Sequence, residues 1–149
     1  MLVVEGVNMD SIKSFRGSNE FLSNMYPCWA WLDGVKYPSV EHAFQAAKTL
    51  DLEQRKLFRV CPVKAAKLEG RLLDLRPDWE KVKLDIMYSL LKSKFSDAEL
   101  KQKLLETGDK QLIEGNTWND TYWGVCKGVG ENHLGKLLMQ VRSELREED

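Results

Sequence analysis

The sequence predicts an α+β domain, mostly helical, with a small sheet. Three observations carry that expectation. Two β-prone runs, Cys28 to Leu32 and Val35 to Tyr37, flank Asp33-Gly34, the strongest short hairpin signature. From Ser39 onward, apolar residues recur at the helical period. No repeat, low-complexity segment or linker breaks the 149 residues, a length that suits a single domain, 1–149, around one core.

In chain order, Ser11 to Phe15 is a short strand candidate, Arg16 to Glu20 a loop, and Phe21 to Pro27 an irregular aromatic-rich connector ahead of the hairpin. Pro38 ends the second hairpin run, and Ser39 is a good N-cap for a helix. Val40, Ala43, Phe44, Ala47 and Leu50 share that helix's apolar face; Glu41, Gln45 and Lys48 form a stripe along its border; His42 and Thr49 fall further round. A second helix runs from about Leu52 to Val60 with Asp51 as its cap, and a third from Val63 to Glu69 with Gly70 as its C′ residue. Arg76-Pro77-Asp78-Trp79 opens a fourth, reaching about Phe95, with Trp79, Val82, Ile86 and Leu90 on its core face. The capping box Ser96-Asp97-Ala98-Glu99 starts a fifth, which ends by Thr107-Gly108. Gln111 to Glu114 is a short strand and 115–132 a loop. Asn132 can cap a last helix with Leu134, Leu137, Leu138, Val141 and Leu145 inward, Arg142 set to complement its dipole, and a frayed acidic tail, Glu147-Glu148-Asp149.

Composition narrows the function. Hydrophobic residues are 43% and charged residues 30%, as in a soluble globular protein, and the net charge of −1 advertises no broad nucleic-acid surface. The Cys count is three, Cys28, Cys61 and Cys126, widely spaced, which suits a reducing compartment and neither a disulfide framework nor, with His42 and His133, a zinc set. Met1 to Gly6 does not read as a signal peptide, and no apolar run approaches the roughly 18 residues of a membrane span. The reading is a cytoplasmic protein with no membrane partner. Oligomeric state is not legible here.

Gly130, Gly135 and Lys136 nearly spell a phosphate-binding P-loop, but Leu137 stands where a Ser or Thr must hold magnesium, and the surrounding leucines explain the pattern as core. The loop 115–130 holds Trp118, Asp120, Tyr122 and Trp123 with glycines at 115, 124, 128 and 130. It reads either as a ligand loop, with the helix start at Asn132 offering N–H groups to a phosphate, or as a compact loop with Asp120 capping backbone. The Glu41/Gln45/Lys48 stripe is either a solvated charge pattern or a pocket wall; the i, i+7 separation of Glu41 and Lys48 is too long for a direct helical pair. Trp79 is more often core than a stacking platform. Together these features suggest a cleft with two carboxylates, Glu41 and Asp120, a lysine and several rings. Paired carboxylates are what glycosidic cleavage needs, because one stabilises an oxocarbenium-like cation and one can activate water.

Ordered motifs along the chain then resemble one family. They are Leu22-Ser23-Asn24-x-Tyr26; Asp33-Gly34-x-x-Tyr37-x-Ser39-x-Glu41-His42-x-x-Gln45-x-x-Lys48; Trp79 with Met87 and Lys94-Phe95; Leu104-Leu105-x-Thr107-Gly108; Leu112-x-Glu114; Asp120-x-x-Trp123-Gly124; and Gly128-x-Gly130-x-Asn132-x-Leu134-Gly135-x-x-Leu138-Met139-x-x-Arg142. The chain resembles the YbiA-like, or NADAR (NAD and ADP-ribose), family. One departure is Met25, where the family usually has Phe. The resemblance implies a small α+β N-glycosidase with no cofactor and no metal. It would act on ribosylaminopyrimidine phosphates of riboflavin synthesis, or remove ADP-ribose from modified guanine in nucleic acid. It implies functional roles for Glu41, Trp79, Asp120 and Lys48, the lysine acting through imine chemistry or by binding phosphate. Asn24, Gln45, Trp123, Gly124, Gly128 and Asn132 are the expected substrate contacts. The alternatives are a non-catalytic ADP-ribose or NAD-binding module and a helical interaction domain, which leaves the polar stripe unexplained.

Overall fold

A computed structural model describes residues 10–148 of the chain; Met1 to Gly6, read as no signal peptide, and Asp149 of the tail lie outside the described residues. The elements are β1 (Ser11–Ile12), a 3₁₀ segment (Gly17–Leu22), β2 (Ala30–Leu32), β3 (Val35–Tyr37), α1 (Val40–Ala46), α2 (Leu52–Leu57), α3 (Val63–Gly70), α4 (Trp79–Lys94), α5 (Ala98–Glu106), β4 (Gln111–Leu112), β5 (Gly115–Asn116), β6 (Val125–Cys126) and α6 (His133–Glu147). The fold is α+β and mostly helical, as expected. The small sheet is in fact three two-stranded ladders: β1–β4 parallel, β2–β3 antiparallel and β5–β6 parallel. The described residues form two compact units, a central one of Asn24–Asp97 and a discontinuous one made of the described residues up to Ser23 and from Ala98 onward.

In the central unit the hairpin forms where Asp33-Gly34 demands it. Both turn residues have positive φ, 49° and 79°, which the favoured two-residue turn requires. Ala30, Leu32 and Tyr37 point inward; Trp31 and the preceding Trp29 are half or more exposed, at 50% and 57%, so neither is a core tryptophan. α1 packs on α3 and α4, and β2 lies against α4. The buried face of α4 is Trp79, Met87, Leu90, Leu91 and Lys94. Val82 and Ile86, expected inward, are only half-buried, so the helix is rotated toward Met87. Leu50 is 59% exposed because α1 ends before it, whereas His42 and Thr49, expected further round, are buried. Asp51 caps α2 as expected, its Oδ1 accepting from Glu53 N at 2.9 Å and Gln54 N at 3.3 Å. α2 stops at Leu57, short of Val60.

Lys94 is 1% exposed, with Nζ 5.1 Å from the Phe95 ring centre and 5.7 Å from that of Tyr26. Burial drives its pKa from lysine's usual 10.5 down to about 8, with the Cys28 thiolate pulling the other way. The unfolded chain therefore binds a proton that the folded chain releases between those two values, and the Lys94 contribution to stability rises with pH across that window. At 1.36 kcal/mol per pKa unit the full swing is about 3 kcal/mol. Lys94→Met is expected to gain most over wild type below pH 8 and to lose that advantage by about pH 10 in urea unfolding. The comparison of the two proteins isolates Lys94 from Cys61 and Tyr37, whose burial-raised pKa values act in the opposite sense; Cys28, which the Lys94 charge pulls down, moves further up in the variant. A pH-independent difference would sink the assignment.

In the discontinuous unit α6 packs on α5 and β4. Its buried face is Leu134, Leu138, Val141 and Leu145, with Gly135 and Arg142 added, while Leu137, expected inward, is only half-buried. Arg142 does not serve the helix dipole: it is 5% exposed, and Nη1 donates to Thr107 Oγ1 at 2.8 Å. Arg146 takes the exposed role, donating to Gly108 O and pairing with Asp109. The stretch Arg16 to Glu20, expected as loop, falls largely within the 3₁₀ segment, and β1 covers only Ser11–Ile12. Glu147 is helical rather than frayed.

Candidate active site

The central unit gathers Asn24, Glu41, Gln45 and Lys48 around α1. Ser39 is extended, and its Oγ accepts from His42 N at 3.1 Å. His42 Nε2 lies 2.8 Å from Cys61 O, which can only accept, so in the neutral ring that nitrogen carries the proton and the Ser39 hydroxyl donates to Nδ1 at 2.7 Å. Glu41 N donates to Asn24 O at 2.9 Å. The amides of 41 and 42, orphans of the first helical turn, are thus both satisfied, and the backbone of Glu41 is pinned.

The side chain of Glu41 is held as well. Gln45, one turn on, donates from Nε2 to Glu41 Oε2 at 2.8 Å. Gln45 is 5% exposed, and its Oε1 is buried with no hydrogen-bond partner, pressed against Gly70 of α3. A Cβ on Gly70 would stand 1.9 Å from that oxygen. Gly70 is therefore not the left-handed C′ residue expected; it is the last residue of α3, kept small so that Gln45 can lie beneath it. Gly70→Ala improves helix propensity by about 1 kcal/mol while overpacking costs about 1–3 kcal/mol. The expected result is a small loss of stability with a disproportionate loss of turnover, because the amide holding Glu41 is displaced. Thermal melts measured beside kcat check it, and unchanged kcat would reject the Gln45–Glu41 coupling.

Lys48 is half-buried just past the end of α1, and its side chain makes no hydrogen bond or ion pair among the described residues. Burial pulls its pKa below the ordinary lysine value; Glu41 opposes that, while Arg71 and Lys67 reinforce it. Such an amine is closer to its neutral, nucleophilic form. Trp79 is 6% exposed and packs on Phe44 with ring centres 5.0 Å apart, so it is a wall of the core rather than an open stacking face. Asn24 donates from Nδ2 to Met87 Sδ at 3.7 Å and leaves Oδ1 buried without a partner. Met25, at the family's usual Phe position, is 37% exposed.

Asp120, Trp123, Gly124, Gly128 and Asn132 belong to the discontinuous unit. Asp120 Oδ1 accepts from Tyr122 N at 3.1 Å and Trp123 N at 2.9 Å, a local turn of the kind Asp favours. Asn116 clamps the same residue, accepting from Asp120 N at 3.1 Å and donating to Asp120 O at 2.9 Å. The capping role thus takes Oδ1, and Oδ2 carries no hydrogen bond among the described residues. The glycines are mostly used by the chain itself. A Cβ on Gly124 would meet Glu114 O at 2.0 Å, and one on Gly130 would meet Gly124 O at 2.1 Å; Gly128 has φ 78° and open space around it. The ring of Trp123 lies 4.9 Å from that of Tyr122, edge-on.

Asn132 departs from its expected role. It is fully buried, with φ 53°, and its side chain caps no helical N–H. Instead Oδ1 accepts from Glu114 N and Nδ2 donates to Leu112 O, both at 2.9 Å. The amides at this helix start are also engaged: His133 N donates to Tyr122 O at 3.1 Å and Leu134 N to Trp123 O at 3.0 Å. The expected phosphate site at the start of α6 is corrected on that ground. Residues overlooked in the sequence are Gly70, Lys67, Arg71 and Asn116. Only Gly70 left a trace, as a glycine close to a helical stretch.

Among the described residues no three His, Cys, Asp or Glu side chains gather as a metal set, and no helix is long and apolar enough to cross a membrane. A pinned carboxylate and a half-buried lysine that it influences thus stand together on a small α+β scaffold. Residues 13–146 match the NADAR domain, and the chain belongs to that family. N-glycosidase YbiA of Escherichia coli strain K12 is 38% identical over 95% of this chain and 93% of its own length. N-glycosidase Npun_R5314 of Nostoc punctiforme is 35% identical over 83% and 84% respectively. A riboflavin biosynthesis protein of Vibrio vulnificus is 37% identical over 85% of this chain, which spans only 36% of that longer protein. The NMR structure of E. coli YbiA superposes with a TM-score of 0.79 at 33% identity, covering 99% of this chain and 95% of that one. By class the chain is an N-glycosidase.

Proposed function

We propose that this N-glycosidase hydrolyses the bond between ribose C1′ and a base amine, in ribosylaminopyrimidine phosphates of riboflavin synthesis or in ADP-ribosylated guanine. The observation that carries this reading is the Glu41 carboxylate, pinned by backbone and by Gln45 and electrostatically coupled to Lys48. As the C1′–N bond breaks, its electron pair leaves on nitrogen, which takes up a proton, and C1′ becomes oxocarbenium-like. A carboxylate stabilises that cation and accepts a proton from the water that adds to C1′. Glu41 fills this role, and Lys48 either attacks C1′ as an amine or holds phosphate. The riboflavin substrate draws support from the name of the Vibrio relative.

The deciding experiment incubates the protein separately with ribosylaminopyrimidine phosphates and with ADP-ribosylated DNA, following free ribose 5-phosphate and free ADP-ribose. Turnover of one and not the other selects the substrate. Binding without turnover of either rejects the hydrolase in favour of a binding module.

A further inference from the structure

We propose that Arg71 and Lys67 of the α3 C-terminal turn form an anion subsite, beside Lys48, for the phosphate on the ribose 5′ carbon. This rests on the N-glycosidase reading above, and it holds for either candidate substrate, since both carry phosphate there.

The geometry starts at Gly70. Its lack of a side chain lets α3 settle on Gln45, with a would-be Cβ only 1.9 Å from Gln45 Oε1. Gln45 lies between Glu41, one turn back on α1, and Lys48, three residues on and just past the end of α1. Lys67 precedes Gly70 by three residues, so it lies on the same side of α3, and Arg71 follows immediately. Lys67 and Arg71, four residues apart, share one face of α3, and both act on the Lys48 amine. The carboxylate acting on Lys48 is Glu41, one oxygen of which is already bonded by Gln45; Glu69 lies round the other side of α3, where it acts on Cys61.

Helix dipoles favour cations at each C-terminus singly. They do not account for a second cation, Arg71, set where it disfavours the charged form of the half-buried Lys48 amine. Arg71 is exposed, and its guanidinium is unengaged among the described residues, leaving a planar fork of donors suited to a phosphate's oxygens. A bound phosphate dianion relieves the repulsion and sets the ribose beside Glu41. The start of α6, whose amides are already engaged, offers no competing site for it.

Calorimetric titration of the wild type and of Arg71→Ala with ribose 5-phosphate and with ribose tests the subsite. Wild type is expected to bind ribose 5-phosphate at least tenfold more tightly than ribose, and less tightly in high salt. Arg71→Ala is expected to lose on the order of 10–100-fold for the phosphate ester, the range for charge-assisted hydrogen bonds, and nothing for ribose. Circular dichroism confirms that the variant is folded, and Lys67→Ala provides a second, smaller loss. Equal affinity of wild type for ribose and its phosphate, or no effect of Arg71→Ala, overturns the subsite. Product binding needs no turnover: an inactive protein that binds ribose 5-phosphate through Arg71 rejects only the glycosidase reading, and an active one indifferent to Arg71 rejects only the subsite.

Discussion

Glu41→Gln is expected to lower the rate of base release by on the order of 10²–10⁴-fold, the usual reach of one acid–base group. The substitution is isosteric, so the physical reason can be isolated. A Gln side chain at 41 can still accept from Gln45 Nε2 through its own carbonyl oxygen, and Glu41 N still donates to Asn24 O. The fold and the substrate contacts persist; the negative charge and the exchangeable proton do not. Without them, neither the cationic C1′ nor the proton of the attacking water has a partner. The expected pattern is a collapse of kcat, a KM within a few-fold of wild type and an unchanged melting temperature. Near wild-type kcat in the folded variant would remove Glu41 from the chemistry.

Lys48 governs the second large effect. If the amine attacks C1′, its nitrogen forms a bond to C1′ as the base departs, the ribose ring opens to an imine, and water then releases the sugar and restores the lysine. Borohydride present during turnover should reduce that imine to a stable secondary amine, read as a ribosyl mass adduct on Lys48, and Lys48→Arg should abolish both adduct and turnover. Burial has already moved this amine toward its neutral form. The rate should therefore rise with pH with an apparent pKa below 10.5, as the attacking form is deprotonated. Turnover without any adduct, and a Lys48→Arg variant that keeps kcat while raising KM, would leave Lys48 as a phosphate-binding cation only.

The fold was legible where a residue type compels its own backbone. Asp33-Gly34 adopts positive φ because few other pairs can, and Ser39 and Asp51 cap because their oxygens reach the next free amides. The Glu41–Gln45 pair followed from the helical period, whereas Lys48, read on the same stripe, lies just past the end of α1. Less legible was anything that a partner segment completes. Asn132 looked like a helix cap and is a buried cross-link between Leu112 and Glu114; Arg142 looked like a dipole partner and is held by Thr107. In each case the local pattern fits two uses, and burial selects the one that satisfies both ends of the polar group.

Gly70 marks the boundary most clearly. Along the chain it is a helix-ending glycine. Only when α3 lies on α1 does it become the gap that seats Gln45, and with it the group that holds Glu41. Local sequence chemistry was enough to name a carboxylate and an amide one turn apart on one helix edge, because period and capping act over a few residues. Packing between α1 and α3 decided how that carboxylate is held and which cations face it, because contacts between segments distant along the chain leave no periodic trace in either one.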